Sequence, residues 1–401
     1  MLTQTLKGFR DFLPKEARKR EYVKSTLKKV FSSYGFEPLE TPALEYEEIL
    51  AGKYGDEGDK LMYRFKDLGG RRVAMRYDQT VPLARVIAQY ANDIPLPFKR
   101  YQIQNVWRAE NTQKGRYREF LQVDIDTVGS SSPLADVEIL DVVNKSFKEL
   151  GISIKINFNS REVIFDQLKS IDIKEDFFLP AIRVLDKTEK VGWNAVLKEL
   201  KKIEGLGNNN AMKIFGLREL TQAFEGPEMN IIWKKAADYN IPLEWRLTLA
   251  RGLDYYTGII FEVVSDNYKG GSLGGGGRYD DLIGMFSNQS IPAVGFSFGI
   301  DRIIEAMDEQ SLFDGKDLGG TKVLVTNTAA RSAQIANELR GKNIKVELYI
   351  DDKELDKQLR YADKKQIPFV LLVKDDKLQL KNMKSGQQKE VSLDQLPREL
   401  Q

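Results

Sequence analysis

The 401-residue sequence contains neither cysteine nor histidine. The lack of cysteine excludes disulfides, thiolate nucleophiles and sulfur-ligated zinc, and the lack of histidine excludes imidazole bases, Ser-His-Asp triads and His-ligated metals. Any chemistry must therefore use carboxylates, Lys, Arg and Tyr, or cations such as Mg²⁺ that bind oxygen. The first residues also lack the apolar run of a signal peptide or membrane helix, which predicts a cytoplasmic protein with no membrane association.

A large excess of charge of one sign is also absent. The 61 Lys and Arg residues nearly balance 59 Asp and Glu, so a nucleic-acid surface would have to be a local patch. From Lys322 onward, 16 basic residues oppose 12 acidic ones, which leaves a net charge of +4 on this part of the chain. This modest excess fits an RNA-facing domain without requiring one, because charge runs are usually solvated faces.

Two predicted strands, residues 98–107 and 119–128, are joined by the polar loop RAENTQKGRYR. Side chains alternate along a strand, so Gln122, Asp124 and Asp126 share one face and apolar residues share the other. The apolar face is expected to lie toward a core. The polar row is either solvated or the floor of a binding site.

The stretch LARGLDYYTGIIFEVV, residues 249–264, joins a predicted β-branched strand to a polar head. Arg251, Asp254, Tyr255 and Tyr256 place a cation, a carboxylate and two phenols within six positions. This pattern predicts a polar pocket at the end of a buried strand. The alternative is a strand edge with an ordinary Arg-Asp pair and two half-buried tyrosines.

The segment GGSLGGGGRYDDL, residues 270–282, contains six glycines in thirteen positions, too many for an ordinary turn. Such a run is consistent with a phosphate-binding loop, a flexible lid or a close crossing of two backbones. After it, residues 293–307 read as an apolar strand that runs into a helix with Arg302 in the first turn. Because acidic residues are usual at that end of a helix, the arginine needs a reason, such as an anion that lies beside it.

Asp78 and Thr80 lie where a predicted hairpin, residues 65–75, leads into a helix near Pro82. Residues at such junctions are commonly N-caps, and binding residues also occur there. From about residue 161 to residue 237 the pattern changes to helices with glycine-rich breaks. We therefore predict two domains. Residues 1–320 form an α+β catalytic domain on an antiparallel sheet with a helical insertion at about 161–237, and residues 322–401 form an α/β domain.

Taken together, these segments resemble histidyl-tRNA synthetase, a class II aminoacyl-tRNA synthetase family. The three class II motifs are similar to residues 34–46 with Pro42, to WRAENTQKGRYREFLQVDID and to GFSFGIDRI. The histidine-specific signatures are ARGLDYYTG and GGRYD, and RYDQTVPLAR resembles the segment that holds the substrate's amino group. ELDKQLRYADKKQIPFVLLV resembles part of the family's anticodon-binding domain. The resemblance covers nearly the whole chain, and Asp301 stands where Glu is frequent.

The resemblance implies a class II synthetase-like catalytic domain and a histidine–tRNA ligase that uses L-histidine, ATP, Mg²⁺ and tRNA(His), and motif 1 implies a homodimer. No metal site made of His or Cys is expected. The resemblance assigns catalysis to Arg108, Arg251 and Arg302. It assigns histidine binding to Asp78, Gln79, Thr80, Arg108, Gln122, Asp126, Arg251, Tyr255 and Tyr256. It assigns ATP binding to Arg108, Glu110, Arg116, Phe120 and Arg302, and contact with the tRNA acceptor end to Gln113.

Three other functions compete with this one. The first is a synthetase-like histidine sensor, such as the regulatory subunit of ATP phosphoribosyltransferase, which is expected to lose the activation arginines and the terminal domain; this chain keeps both. The second is another class II synthetase, which ARGLDYYTG disfavours. The third is an RNA-binding module, which does not explain converging Arg, Asp and Tyr.

Overall fold

The computed structural model of the chain describes residues 3–112, 115–217, 227–249, 255–287, 289–374 and 377–400. The chain divides into two compact units, Met1–Lys316 and Asp317–Gln401. The described part of the first unit contains a large sheet of eight strands and a small sheet of three. The second unit contains a sheet of five strands.

The strands of the first unit are β1 (Glu37–Pro38), β2 (Leu44–Tyr46), β3 (Arg64–Lys66), β4 (Arg72–Met75), β5 (Phe98–Trp107), β6 (Glu119–Val128), β7 (Lys155–Ser160), β8 (Leu243–Trp245), β9 (Ile259–Val264), β10 (Gly274–Arg278) and β11 (Ala293–Gly299). The large sheet has the order β1-β5-β6-β11-β10-β9-β7-β8, and the small sheet has the order β2-β4-β3. The six central strands of the large sheet pair antiparallel, as predicted, whereas β1 and β8 add to its two edges in parallel.

The helices of this unit are α1 (Pro14–Ser33), α2 (Glu47–Leu50), α3 (Gly55–Lys60), α4 (Thr80–Gln89), α5 (Pro133–Leu150), α6 (Arg161–Ser170), α7 (Phe178–Leu185), α8 (Thr188–Val191), α9 (Trp193–Leu200), α10 (Gly207–Gly216), α11 (Pro227–Asp238) and α12 (Ile300–Glu309). Helices α6 to α11 occupy the region predicted as an insertion. Several of them share a core of their own that includes Leu168, Ile182 and Leu200. None of the helices in the described ranges is long and apolar enough to cross a membrane.

The central sheet is covered on one face by α1, α5 and α12. Phe298 of β11 lies 5.5 Å from Phe31 of α1 and 5.7 Å from Phe147 of α5, measured between ring centroids. Helix α5 begins with Ser132 as its N-cap, whose hydroxyl accepts from the amide of Leu134, and it ends at Gly151 with φ +82°. The apolar side of the β5–β6 hairpin thus faces a core, as its alternation predicts.

The glycine-rich segment forms a buried strand in the middle of the sheet, which selects a close backbone approach from the three alternatives. A Cβ atom added to Gly276 would lie 2.0 Å from the carbonyl oxygen of Gly295 on β11. A Cβ on Gly295 would in turn lie 1.9 Å from Oδ1 of Asp126. The glycines therefore let β10 and β11 pack closely beside the polar face of β6.

The second unit alternates strands and helices, as predicted. Its elements are β12 (Val323–Val325), α13 (Ser332–Gly341), β13 (Val346–Leu348), α14 (Leu355–Lys364), β14 (Phe369–Lys374), β15 (Lys377–Asn382), β16 (Gln388–Val391) and α15 (Leu396–Glu399). The sheet order is β13-β12-β14-β15-β16, with parallel pairs among the first three strands and a terminal antiparallel hairpin. Two apolar clusters lie on the two faces of this sheet, one around Val325 and one around Leu324.

Candidate active site

The polar face of β6 forms the buried floor of the candidate site. Asp126 is almost fully buried, and its Oδ2 lies 2.8 Å from Nη2 of Arg100, which is completely buried. The hydroxyl of Tyr279 donates to Oδ1 of Asp126. Burial raises the pKa of Asp126, while Arg100 and the hydrogen bond from Tyr279 act in the opposite direction. The carboxylate is therefore held in one orientation by a cation at one oxygen and a phenol at the other.

Asp124 lies two positions before Asp126 on the same face. Its Oδ2 accepts a hydrogen bond of 2.8 Å from Nε2 of Gln122, and Arg100 is 3.9 Å away. The pKa of Asp124 is raised to about 7, because burial, which raises it, outweighs the opposing charge of Arg100 and is helped by the charge of Asp126. The row of Gln122, Asp124 and Asp126 is buried, so the solvated alternative is wrong.

Asp78 lies at the start of α4 and is also buried. Its Oδ1 accepts from the hydroxyl of Tyr54 at 2.9 Å and from the amide of Val81 at 3.1 Å. Asp78 thus accepts from an amide in the first turn of α4, although the N-cap residue is Gln79, and its Oδ2 has no hydrogen-bond partner within the described chain. Burial raises the pKa of Asp78, and the two hydrogen bonds oppose that rise. An unsatisfied buried carboxylate oxygen is costly and suits a ligand cation.

Tyr255 and Tyr256 of the ARGLDYYTG signature lie beside these carboxylates. The rings of Tyr255 and Tyr256 lie 5.0 Å apart, and Tyr255 meets Tyr279 edge-on at 5.9 Å. Burial raises the pKa of Tyr255, and Tyr256 and Asp78 add to the rise, while a hydrogen bond with Thr80 lowers it. The structure therefore brings the predicted residues of the amino-group segment and the tyrosine signature to one place.

The side-chain amide of Gln79 contacts the protein backbone, whereas its predicted role is to bind histidine. Its Nε2 donates to two main-chain carbonyls, of Gln104 at 2.8 Å and of Gln122 at 3.1 Å. These bonds fasten the start of α4 to both strands of the β5–β6 hairpin. The amide nitrogen of Gln79 is committed to the scaffold, and its proposed contact with histidine stays a prediction.

Arg108 follows β5 and lies between two aromatic rings. Its guanidinium carbon is 4.5 Å from the centroid of Tyr77 and 5.2 Å from that of Phe120. Its Nε donates to the carbonyl of Tyr77 at 3.1 Å. The rings and this bond fix the plane of the guanidinium, which is the geometry needed for two-point binding of a phosphate or carboxylate.

Arg302 lies in the first turn of α12, and its Nη1 donates to the carbonyl of Ser272 at 2.8 Å. A Cβ on Gly115 would lie 3.5 Å from Cγ of Arg302, and a Cβ on Gly271 would lie 3.5 Å from its Nη1. Two glycines thus flank the side chain. Arg116, next to Gly115, is half exposed and lies 3.7 Å from Oε2 of Glu110.

Two predicted site residues, Arg251 and Gln113, lie outside the described residues, and their roles stay predictions.

Three residues that shape the described site were missed by the sequence analysis: Arg100, Tyr54 and Tyr279. A signal existed for Arg100, because pairing the two predicted ten-residue strands end to end places it opposite Asp126, as the structure does. Tyr279 belongs to the GGRYD signature without an assigned role. Tyr54 precedes a short helix and carries no local pattern.

Comparison with known proteins identifies the family. The family model described as histidyl-tRNA synthetase matches residues 8–303, and the anticodon binding domain model matches residues 322–401. The chain belongs to the histidyl-tRNA synthetase family. It is 40% identical to the histidine–tRNA ligase of Cytophaga hutchinsonii over 98% of each chain. It is 39% identical to that of Wolinella succinogenes over 96% of this chain and 95% of the relative.

Solved structures agree with this assignment. The histidyl-tRNA synthetase of Nostoc sp. PCC 7120 superposes with a TM-score of 0.85 at 30% identity, covering 100% of this chain and 99% of that one. This similarity confirms the predicted fold class, a class II catalytic domain followed by an α/β anticodon-binding domain. A Bacillus halodurans protein described as an ATP phosphoribosyltransferase regulatory subunit/histidyl-tRNA synthetase has a TM-score of 0.74 at 23% identity, which shows the shared fold alone.

Proposed function

We propose that this pocket activates L-histidine with ATP and then transfers the histidyl group from the adenylate to the 3′ end of tRNA(His). Family membership makes the chain an aminoacyl-tRNA ligase for histidine, and ATP is the substrate that a class II synthetase uses. The observation that carries the assignment of the pocket is the buried carboxylate of Asp126, held by Arg100 and Tyr279 beside Tyr255.

The buried charges of the pocket favour a cationic ligand group. Asp78, Asp124 and Asp126 are all buried, and Arg100 is the cation that contacts the last two. Desolvated carboxylates gain most from a positive partner that also donates hydrogen bonds. The α-ammonium group of an amino acid supplies both, so we place it near Asp78, with Thr80 and Gln122 as further contacts.

Selection of the side chain is a hydrogen-bond problem, because a neutral imidazole has one donor and one acceptor nitrogen. In our proposal Asp126 accepts from the ring N–H, and the hydroxyl of Tyr256 serves the other nitrogen. Tyr255 lines the ring. A site built this way rejects analogues without the N–H by about 10⁴-fold or more, since its buried polar groups would be left unpaired.

Activation brings two anions together, the histidine carboxylate and the α-phosphate of ATP. Fixed cations lower the cost of that approach. We assign Arg108 to the α-phosphate and the carboxylate, Arg302 and Arg116 to the γ-phosphate end, and Arg251 to the reacting groups. Phe120, whose ring lies beside the guanidinium of Arg108, would stack on the adenine. Glu110 would contact the adenine region.

Mg²⁺ enters the proposal as a companion of ATP. Among the described residues no group of three or more Asp and Glu side chains is arranged to hold a metal ion. This fits a cation that is held mainly by the phosphates and water, as Mg²⁺ commonly is in nucleotide sites, because it gives up its water shell reluctantly. Its contribution would be to neutralise charge on the phosphates while pyrophosphate leaves.

A homodimer is the proposed assembly. Residues of the motif 1 region and α4 line an open groove of about 770 Å³. Leu44, Tyr46 and Tyr90 of this groove are about half exposed. Because a second copy would cover such apolar side chains, sedimentation at micromolar concentration should give twice the mass of the chain.

We further propose that Gln113 and the C-terminal unit contact tRNA(His), and that the protein works in the cytoplasm beside its ATP and tRNA substrates.

Histidine-dependent exchange of pyrophosphate into ATP tests the function. We expect exchange with histidine and none with the other amino acids. The variant Arg108→Lys should lose most of the activity, whereas Arg246→Lys, at a half-exposed arginine paired with Glu244, should retain it. A purified, folded protein without exchange would refute the enzymatic role, and exchange with another amino acid would refute the specificity.

Two residues in the polar head of the Leu249–Val264 stretch, Arg251 and Tyr256, have separate tests. Arg251→Ala should chiefly lower the rate of adenylate formation, because the cation acts on the reacting groups. Tyr256→Phe should chiefly weaken histidine binding, because it removes one hydrogen bond to the ring. Single-turnover kinetics separate these effects, and the reverse division between rate and binding would contradict both assignments.

A further inference from the structure

A short N-terminal segment, residues 8–12, crosses the base of the loop that joins β5 and β6. The carbonyl of Gly8 accepts from the amide of Arg118 at 2.9 Å and from that of Glu119 at 3.4 Å. Gly8 has φ +88°, and a Cβ there would lie 2.7 Å from Cγ of Arg118. The glycine is therefore required both for the backbone conformation and for the close approach.

Arg10 of this segment contacts two different elements at once. Its guanidinium carbon lies 3.1 Å from the ring centroid of Tyr117, at the C-terminal end of the loop. Its Nη2 lies 2.9 Å from Oδ2 of Asp301, in the first turn of α12. The other carboxylate oxygen of Asp301 accepts from Arg20 of α1 at 2.6 Å. Arg10 thus joins the stem of the loop to the start of α12 through one flat side chain.

The same two elements carry the groups assigned above to the γ-phosphate. Arg302 follows Asp301 directly, and Gly115 and Arg116 precede Tyr117. Gly115 already approaches the side chain of Arg302 closely. Any drift of the loop stem away from α12 would therefore change the spacing of Arg116 and Arg302.

We propose that Arg10 is a positioning residue for ATP, which holds the loop stem against the first turn of α12 so that Arg116 and Arg302 stay at phosphate-binding distance from each other. The proposal rests on the function assigned above. Arg10 itself is not expected to touch the substrate. Its effect should appear in the affinity for ATP and leave the histidine pocket, whose floor is β6, unaffected.

The test is steady-state pyrophosphate exchange with Arg10→Met, which keeps the length of the side chain and removes its charge and planar stacking. We expect the KM for ATP to rise roughly tenfold and the KM for histidine to stay within about twofold, because a small misplacement of phosphate ligands is costly. Arg10→Lys keeps the ion pair and loses the flat stacking surface. Its KM for ATP should lie between those of the unaltered protein and Arg10→Met. Equal changes in both KM values, or a loss of kcat alone, would overturn the proposal.

Lys19→Met is the matched control, because Lys19 of α1 pairs with Asp308 of α12 at 2.8 Å and has no ion pair or hydrogen bond with the described residues of the loop. It should leave both KM values unchanged. If Arg10→Met does not fold, Tyr117→Leu removes the stacking from the other side and should raise the KM for ATP alone. Where both single variants fold, the double variant Arg10→Met/Tyr117→Leu should resemble Arg10→Met alone, and fully additive effects would refute the shared contact. Absence of exchange in the unaltered protein would instead refute the proposed function.

Discussion

Asp124 should make the stability of this protein fall as the pH rises through neutrality. Burial raises the pKa of its carboxyl from 3.8 to about 7. Because the pKa is higher in the folded chain than in the unfolded one, the group stabilises the fold at low pH, and this contribution is lost as the pH passes about 7. Integrating the difference in bound protons from about pH 6 to about pH 8 gives a loss on the order of 1 kcal/mol.

The assay compares the unaltered protein with Asp124→Asn, which resembles the protonated acid in shape and cannot ionise. Thermal unfolding is followed at both pH values and constant ionic strength. The difference in unfolding free energy between the two proteins should shift by about 1 kcal/mol in favour of the variant at the higher pH, which corresponds to roughly 1–2 °C in Tm for a unit of this length. Titrating groups far from Asp124 affect both proteins equally and cancel in the comparison, whereas Asp126 interacts with Asp124 and adds to the measured difference.

Saturating histidine provides a second arm of the same experiment. A ligand ammonium in the pocket favours the ionised form of Asp124 and lowers its pKa, so the liganded protein should lose less stability over this pH range. Two results would refute the reasoning. One is a pair of parallel profiles for the unaltered protein and the variant, and the other is a loss of stability that histidine does not reduce.

Three further predictions follow from particular contacts. Tyr279→Phe removes the hydroxyl that donates to Asp126, so the KM for histidine should rise about tenfold or more, as measured by pyrophosphate exchange, with a smaller change in kcat. Arg108→Lys loses the planar fork between two rings, and kcat for exchange should fall by about 10²-fold. Asp136→Asn removes the nearer of the two carboxylates that pair with the buried guanidinium of Arg278, at 2.5 Å, and leaves only Asp280 at 3.4 Å, so chemical denaturation should show a loss of about 3 kcal/mol.

Each of these has an outcome that contradicts it. For Tyr279→Phe that outcome is an unchanged KM for histidine, with Tyr63→Phe, at a partly exposed ring, as the control. For Arg108→Lys it is activity equal to that of Arg246→Lys. For Asp136→Asn it is a stability within about 0.5 kcal/mol of the unaltered protein, the range expected for a surface substitution.

The sequence by itself determined the elements whose signals are local. The predicted bounds of β5 and β6 match the structure to the residue, because successive side chains of a strand point to opposite faces and so β6 alternates apolar and polar residues, although both of its faces are buried. Ser132, Pro133 and Gly151 defined α5, because caps act through hydrogen bonds within a few residues. Motif resemblance indicated the family, and the absence of cysteine and histidine restricted the chemistry to carboxylates, tyrosines and arginines.

Only the tertiary structure decided how those groups act on one another. The burial of Asp124 and Asp126 depends on the pairing of β6 with β11 and of β11 with β10. No short window of sequence contains all of these strands. Arg100, Tyr54 and Tyr279 reach the site from three separate segments, and their roles follow from distances across the fold. Electrostatic energies depend on burial and separation in space, so the sequence could name the charged residues, whereas their pKa directions and partners required the folded chain.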